Sequence, residues 1–306
     1  MTIQQIKYVL VIARCGSMNK AAELLFISQP ALSNTIKELE SEVDITIFNR
    51  SKRGVSLTNE GTKFLKYARQ VYQQYELLEE QFLDEKNRVY TFGVSTQHYS
   101  FATKSFIETV KKFDTQEYHF AIRETKTFNV IRDVGEGRSE IGVLFLSKLN
   151  SKVLQHYFDE YDLVFDGLVD TSAYVYLHRK HPLANKDKIS FDELQDYPCL
   201  SFEQGRESSV YLAEEILSEK AYLHSVTASD RATMLNLMKG LNGYTLCSGI
   251  ISEESNGDEY KVIPFSEDGE HMNTNMKIGY IMKKNHILSE VGEVYIKELK
   301  NYIKRS

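Results

Sequence analysis

Residues 21–43, AAELLFISQPALSNTIKELESEV, and residues 47–61, IFNRSKRGVSLTNEG, decide the architecture of the N-terminal part of this chain. Ser28 ahead of Gln29 and Pro30 is a helix start: a hydroxyl at the N-cap, then proline in the first turn, where its missing N–H costs nothing. The helix runs to about Val43 with Leu32, Ile36, Leu39 and Val43 as its apolar stripe, leaving Gln29, Ser33, Asn34 and Lys37 on the other side or its margin. Upstream, Ser17 caps a shorter helix in which Ala21 and Ala22 allow close helix approach, and Phe26 and Ile27 make the turn. Earlier still, Ile3, Ile6, Val9, Leu10 and Ala13 give a first helix one apolar face, which Gly16 ends. Helix, tight turn, helix is the helix-turn-helix plan, whose second helix brings its N-terminal residues to base edges in the major groove. Amides pair bidentately with adenine and hydroxyls serve donors or acceptors, so Ser28, Gln29, Pro30, Ser33, Asn34 and Lys37 form the candidate DNA-reading face. Arg50, Lys52 and Arg53 precede Gly54 and the Val55-Ser56-Leu57 alternation. Alone they suit a basic hairpin wing on phosphate or minor groove or a solvated turn equally; joined to the two preceding helices they favour the wing.

Working outward, 306 residues are about twice a typical domain, which predicts two domains or a small head on a larger body. Hydrophobic residues at 42%, charged at 26% and only 4 prolines exclude a disordered or collagen-like chain. The 3 cysteines, Cys15, Cys199 and Cys247, are too few and too scattered for a disulfide framework and point to a reducing compartment, hence the cytoplasm. The start of the chain lacks a basic n-region and a small-residue cleavage site, and no window of 18 apolar residues occurs, so neither export nor membrane spanning is expected. Charge is uneven. Residues 1–75 carry a net +4 and the remainder −10, the balance of a mildly basic nucleic-acid module on an acidic body.

From Glu60 to Lys86, Phe64, Ala68, Val71, Tyr75, Leu78 and Phe82 recur at alternating spacings of 4 and 3, a coiled-coil seam. A helix of about 25 residues spans almost 40 Å, so pairing with a second chain is the favoured reading, packing on its own body the alternative. Two such chains would engage two half-sites at once. After Asn87 strands and helices alternate: VYTFGVS, FATKSFIETVKKF, YHFAIRE, NVIRDVGEG and EIGVLFL, then LVFDGLV, AYVYLH, SFDELQDY and CLSF. A helix near Val210 to Ser218, a strand near His224 to Ala228, the helix RATMLNLMKG, the strands KVIPF and MKIGYIMKK and a closing helix complete an α/β body, and the order predicts parallel sheets. In such sheets small ligands bind beyond the carboxyl ends of strands. Three polar runs fall there: Ser95-Thr96-Gln97-His98, Glu124-Thr125-Lys126-Thr127, and Ser201-Phe202-Glu203. They could converge on a small carboxylate, or serve as ordinary capped loops.

The constellations of catalysis are absent: no G-x-S-x-G elbow, H-E-x-x-H, Walker loop or Cys-x-x-Cys occurs, and the 8 histidines are scattered. No enzyme, metal or cofactor is expected. His98 reads as polar lining, and Cys199 and Cys247 as small core hydrophobes, a redox switch being the alternative.

The two quoted segments resemble the DNA-binding part of LysR-type transcriptional regulators. Gly16-Ser17, Ala21-Ala22, Ser28-Gln29-Pro30, Ser33, Leu39-Glu40, Phe48, Arg50, Leu57-Thr58 and Gly61 stand in the order of a winged helix-turn-helix. Asp44 stands where the family usually has glycine, and Ile47 where leucine is usual; Asp tolerates the left-handed conformation, so a slightly altered turn is expected. Further along, Gly137-Arg138-Ser139-Glu140-Ile141-Gly142, His181-Pro182-Leu183-Ala184 and Gly240-Leu241-Asn242-Gly243 are similar to the family's effector domain, with Glu140 where aspartate is usual. The resemblance implies a winged helix-turn-helix over 1–59, a linker helix over 60–87 and a two-lobed periplasmic-binding-protein-like α/β domain over 88–306. Lobe I would span about 88–163 and 267–306, and lobe II about 164–266. It implies antiparallel linker helices in a dimer, dimers associating as tetramers, operator DNA and RNA polymerase as partners, Arg53 in the minor groove, and no cofactor. It also carries effector binding onto Ser95, Thr96, Gln97 and Thr127 and the strand end at Ser201 to Glu203, beside which His98 and Thr125 stand. The effector would be a small anionic or amino-acid-like metabolite, and Ser-Thr-Gln-His-Tyr is similar to regulators tied to sulfur or amino-acid metabolism. The competing reading is a cytoplasmic solute-binding protein whose N-terminal helices serve only assembly.

Overall fold

The computed structural model describes residues 1–51, 54–82, 89–205, 209–251, 256–266 and 274–305. The chain divides into two compact units at Val89. The first opens with α1 (Ile3–Cys15), α2 (Met18–Leu24) and α3 (Gln29–Glu42). Each begins where a side chain satisfies a free backbone N–H: Thr2 accepts from Gln5 within a capping box, Ser17 from Lys20, and Ser28 from Ala31. Gly16 ends α1 at φ +60°, a conformation in which a Cβ would be strained. The buried face of α1 is Ile6, Tyr8, Val9 and Ile12. Ile3, Leu10 and Ala13, expected at its centre, are only half-buried because α1 packs against α2 and α3 and a further helix, which turns a wider arc inward. Leu32, Ile36 and Leu39 from α3 close this core.

Strands β1 (Phe48–Ser51) and β2 (Gly54–Leu57) pair antiparallel, Phe48 facing Leu57 and Ser51 facing Gly54. Thr58 then turns the chain into α4 (Asn59–Phe82): its N–H donates to the Ile47 carbonyl at 3.0 Å, and its Oγ1 accepts from Gly61 N at 2.8 Å. A Cβ on Gly61 would overlap the Ile47 carbonyl, so this close approach requires glycine. The expected seam on α4 divides. Ala68 is buried and Phe64 packs partly against the head's own core, because α4 lies on α1; Val71 and Leu78 stay exposed at 46% and 55%, and Tyr75 is half-buried. The Phe82 side chain lies outside the described residues.

The second unit holds two sheets. The first part of its chain runs β3 (Val89–Thr96), α5 (Ser100–Lys111), β4 (Glu117–Glu124), α6 (Thr127–Gly135), β5 (Ile141–Ser147), α7 (Ser151–Glu160) and β6 (Leu163–Thr171). Then come β7 (Tyr174–His178), β8 (Ile189–Ser190), α8 (Phe191–Leu194), β9 (Cys199–Phe202), β10 (Ser225–Ala228), α9 (Arg231–Leu241), β11 (Tyr244–Cys247) and β12 (Tyr260–Ser266). Finally β13 (Met276–Lys283) and α10 (Glu290–Ile303) return to the first layer. The sheets run β4-β3-β5-β13-β6 and β10-β9-β11-β7-β12-β8. Both are mixed, not parallel: β13 lies antiparallel between β5 and β6, and β7 lies antiparallel to β11 and β12. Strand β6, expected to open the second lobe, belongs to the first sheet through its pairing with β13, so the crossing falls between Thr171 and Tyr174 and not at 163–164.

The helix expected near Val210 to Ser218 is a single 3-10 turn, Val210–Leu212. Glu214 and Glu215 behind it are both buried, and Leu217 has φ +62°, which a regular helix does not accommodate. Glu140 keeps the role a carboxylate has at a helix start: its oxygens accept from Ser289 N and Ser289 Oγ, each at 2.7 Å, at the N-cap of α10. Asp44 does adopt the left-handed conformation, at φ +53°. Among the described residues no helix is long and apolar enough to cross a membrane.

Candidate functional site

On the head, the first turn of α3 and the face beyond it carry the expected DNA-reading residues. Ser28, Pro30, Asn34 and Lys37 are exposed and Gln29 is half-buried. Ser33 departs from that face: only 9% exposed, its Oγ accepts from Arg50 Nη1 at 2.6 Å, so the pair ties β1 to α3. Glu40 reinforces the same joint, Oε1 accepting from Ile47 N at 2.7 Å and Phe48 N at 3.0 Å. Lys52 and Arg53 lie outside the described residues.

In the second unit, the strand-end groups expected to hold an effector are spent on one another. Ser95, Thr96, Gln97 and Thr127 are fully buried. Ser95 Oγ donates to Asp133 Oδ2 at 2.8 Å, Thr96 Oγ1 to the Gln97 carbonyl at 2.8 Å, and Gln97 Nε2 to Thr127 Oγ1 at 2.6 Å, while Gln97 Oε1 accepts from Phe145 N at 3.2 Å. Thr125 Oγ1 accepts from Asn129 Nδ2 at 3.1 Å. Short polar side chains at a buried strand end satisfy neighbouring backbone before they face any ligand. Ser201 and Phe202 are half-buried and Glu203 is exposed.

The space between the sheets opens one residue further along. The His98 ring stacks on Phe202 with centroids 3.8 Å apart and planes at 7°. His98 N and Nδ1 lie 2.8 and 2.9 Å from Glu214 Oε2, and Gln204 joins Glu214 Oε1 at 3.0 Å while accepting from Thr127 N at 3.1 Å. Beside it, Glu215 Oε1 accepts from Phe202 N at 2.8 Å. Burial, and then the neighbouring Glu214 charge, push the Glu215 carboxyl up to about 8. A third contact between the sheets joins Arg231, at the start of α9, to Glu124, at the end of β4; Thr103 Oγ1 also donates to that carboxylate, at 2.8 Å. Behind these contacts lies a cavity of about 70 Å³, lined by His98, Tyr99, Arg231 and Thr245 among others, with Tyr176, Met234, Leu235, Ile250 and Met276 as its apolar walls. Each enclosed water-sized group needs roughly 10–15 Å³, so the space suits a ligand of only a few heavy atoms. Of its lining, the sequence pointed to His98 and Phe202. Tyr99, Arg231 and Thr245 carried no local signal, since each stands alone in its segment, and Glu214 and Glu215 read as part of an ordinary helix.

Among the described residues no group of three or more His, Cys, Asp or Glu could hold a metal ion. Burial pushes the Cys199 and Cys247 thiols up to about 12, which suppresses the reactive thiolate. A Cys199→Ser, Cys247→Ser variant is therefore expected to keep its DNA response under peroxide. A gel-shift titration with and without oxidant checks this, and loss of an oxidant effect seen in the parent would contradict it.

Comparison with known proteins identifies both units. Residues 3–62 match the bacterial regulatory helix-turn-helix of the lysR family, and residues 100–302 match the LysR substrate binding domain. The HTH-type transcriptional regulator AlsR of Bacillus subtilis (strain 168) is 28% identical over 216 residues, covering 69% of this chain and 68% of that one. YbhD, an HTH-type transcriptional regulator of Escherichia coli (strain K12), is 25% identical over 305 residues, 98% of this chain and 91% of the other. A full-length OxyR variant from Pseudomonas aeruginosa shares the fold, with a TM-score of 0.66 at 20% identity over 99% of this chain and 95% of that one. With the family's helix-turn-helix matched over residues 3–62 and its substrate binding domain over residues 100–302, the chain belongs to the LysR family of DNA-binding transcriptional regulators.

Proposed function

We propose that this regulator reads its operator with the exposed side of α3 and answers a small metabolite held between the two sheets of its second unit. The observation that carries the reading is the division of α3, where Leu32, Ile36 and Leu39 are fully buried while Pro30, Asn34 and Lys37 are exposed. Gln29 and Asn34 address base edges, Ser28 and Lys37 edges or phosphate, and Pro30 shapes the first turn. Ser33 serves indirectly by fixing Arg50, and with it strand β1; the contacts of Lys52 and Arg53 with backbone and minor groove are what the family resemblance implies. We read the chain as a winged head, a linker helix and a two-lobed effector domain in that order. Exposed Tyr67, Val71 and Leu78 on the linker support pairing with a second copy, as dimer or tetramer, so that two heads meet two half-sites in the cytoplasm beside RNA polymerase.

The effector, anionic or amino-acid-like, occupies the cavity next to the His98–Phe202 stack, and not the satisfied Ser95–Thr96–Gln97 run. A ligand touching both sheets shifts the arrangement of the lobes by its differential affinity for the two states, and so alters the DNA-bound form. The test is selection of bound fragments from a genomic pool, followed by titration of the recovered site. Gln29→Ala and Asn34→Ala should each cost about 1–3 kcal/mol and relax base preference, whereas Arg53→Ala should weaken all sequences and flatten the salt dependence. Unchanged affinity and preference in both α3 variants would show that another surface reads the operator.

A further inference from the structure

The cavity between the sheets has an unusual inventory of unsatisfied groups. Among the described residues Tyr99 Oη, Arg231 Nε, Thr245 Oγ1 and Asn256 Oδ1 are buried and have no hydrogen-bond partner, and all four residues line this one space. Thr245 is only 7% exposed. Orphaned polar atoms are rare in folded proteins because each costs its desolvation, so four around one void mark a place where a ligand supplies the missing partners.

Their chemistry is specific. Tyr99 and Thr245 hydroxyls and the Arg231 Nε–H are donors, and together they suit the two oxygens of a carboxylate. Arg231 keeps its Nη2 on Glu124, so its Nε remains for the ligand without breaking the contact between the sheets. The charge around the void runs the other way. Glu214 and Glu215 both line it; burial keeps Glu215 protonated at neutral pH, so Glu214 supplies the charge, Glu124 neutralises Arg231, and among the described walls there is no Lys and no second Arg. A bare anion would enter a site whose formal carboxylate and guanidinium charges already sum to negative, which is unfavourable in a shielded space. A cationic group against Glu214 and the Asn256 oxygen removes that obstacle. Met234, Leu235, Ile250, Ile251 and Met276 give the void an apolar side that takes a short apolar chain.

We infer that the cavity binds a free α-amino acid with a side chain of one or two carbons: the carboxylate goes to Tyr99, Arg231 and Thr245, the ammonium to Glu214 and the Asn256 oxygen. This rests on the reading of the cavity as the effector site and narrows it from small anions in general to zwitterions. Because Tyr99 comes from the first layer and Arg231 and Thr245 from the second, the ligand clamps the lobes together.

The experiment is calorimetric titration of the full-length protein with L-alanine and L-2-aminobutyrate, set against butanoate, which lacks the ammonium, and propylamine, which lacks the carboxylate. An amino acid is expected to bind at least about tenfold more tightly than either half-molecule, and Thr245→Val and Glu214→Gln are each expected to weaken it by about tenfold. Thermal melts of both variants establish that they are folded. Binding of butanoate as tight as that of the amino acids, or no binding of either amino acid up to about 10 mM, where even millimolar affinity would register, overturns the inference. Operator titration in the same samples separates the two levels. Binding that depends on Thr245 and Glu214 but leaves operator affinity unchanged upholds the ligand assignment and removes the effector role; an operator response to the carboxylate alone upholds the effector site and removes the zwitterion.

Discussion

Glu40→Ala is expected to loosen the head by about 2–4 kcal/mol, since it strips two adjacent backbone N–H groups of a charge-assisted acceptor. Ile47 and Phe48, whose amides Glu40 holds at 2.7 and 3.0 Å, have side chains 0% and 4% exposed, so water does not readily replace the lost carboxylate. The damage spreads through the hairpin. Ile47 also gives its carbonyl to Thr58, which starts α4, and Phe48 opens the strand that carries Arg50. Amide hydrogen exchange over residues 44–51 reads the effect directly, and operator affinity should fall with it. Glu40→Gln keeps one neutral acceptor and should lose roughly 1 kcal/mol. Unaltered exchange in the alanine variant would mean that the carboxylate does not support the wing.

Glu215→Gln should instead make the protein more stable at alkaline pH. The Glu215 carboxyl is pushed up to about 8, first by burial and then by Glu214, from an ordinary value of 4.5. Between those values the folded chain holds a proton that the unfolded chain has released, so stability is greatest below 4.5 and falls as pH rises towards 8. At about 1.4 kcal/mol per unit the loss reaches roughly 4 kcal/mol near pH 8, and glutamine, which stays neutral and still accepts from Phe202 N, is spared it. The other titratable groups around it, Glu214, Cys199, Tyr99 and Tyr222, are unchanged in the variant; burial drives the Cys199 thiol and both phenols upward, so none of those three ionises in this window. Melting curves from pH 5 to pH 8.5 should therefore diverge steadily in favour of the variant. Parallel curves would place the ionised carboxylate in the folded state at neutral pH.

The head was legible because its determinants are local: Ser17 and Ser28 cap the helices they precede, Gly16 stops α1, and Leu32, Ile36 and Leu39 repeat at helical spacing. Asp44 could be placed in the left-handed region because it stands where the resembling family has glycine and its side chain tolerates that conformation. What periodicity could not reveal was which neighbour claims each apolar face. Phe64 and Ala68 fit the same repeat as Val71 and Leu78, yet only the latter two are exposed. The strand-end polar runs were found in sequence, but Ser95 and Gln97 face Asp133, Thr127 and Phe145, partners 30 or more residues away that no window includes. The cavity is less legible still, because Tyr99, Arg231, Thr245 and Asn256 meet only once both sheets are assembled. Strand order failed for a related reason: alternating strands and helices are the mark of parallel pairing, and nothing local in Met276–Lys283 says that this strand runs against its neighbours.

The late position of that strand sets an order of events during synthesis. Strands β5 and β6 are both complete before the ribosome has made the second sheet, yet the strand that joins them comes after it. Roughly a hundred residues intervene, so at ~5–20 residues per second two open edges wait about 5–20 s for their partner. The inserted layer, whose six strands all lie between Tyr174 and Ser266, has its whole sequence available during that wait. A transcript truncated after Ser266 would thus yield a chain whose DNA-reading head and second layer are intact while the first layer exposes unpaired strands, a species inclined to self-association and to capture by chaperones.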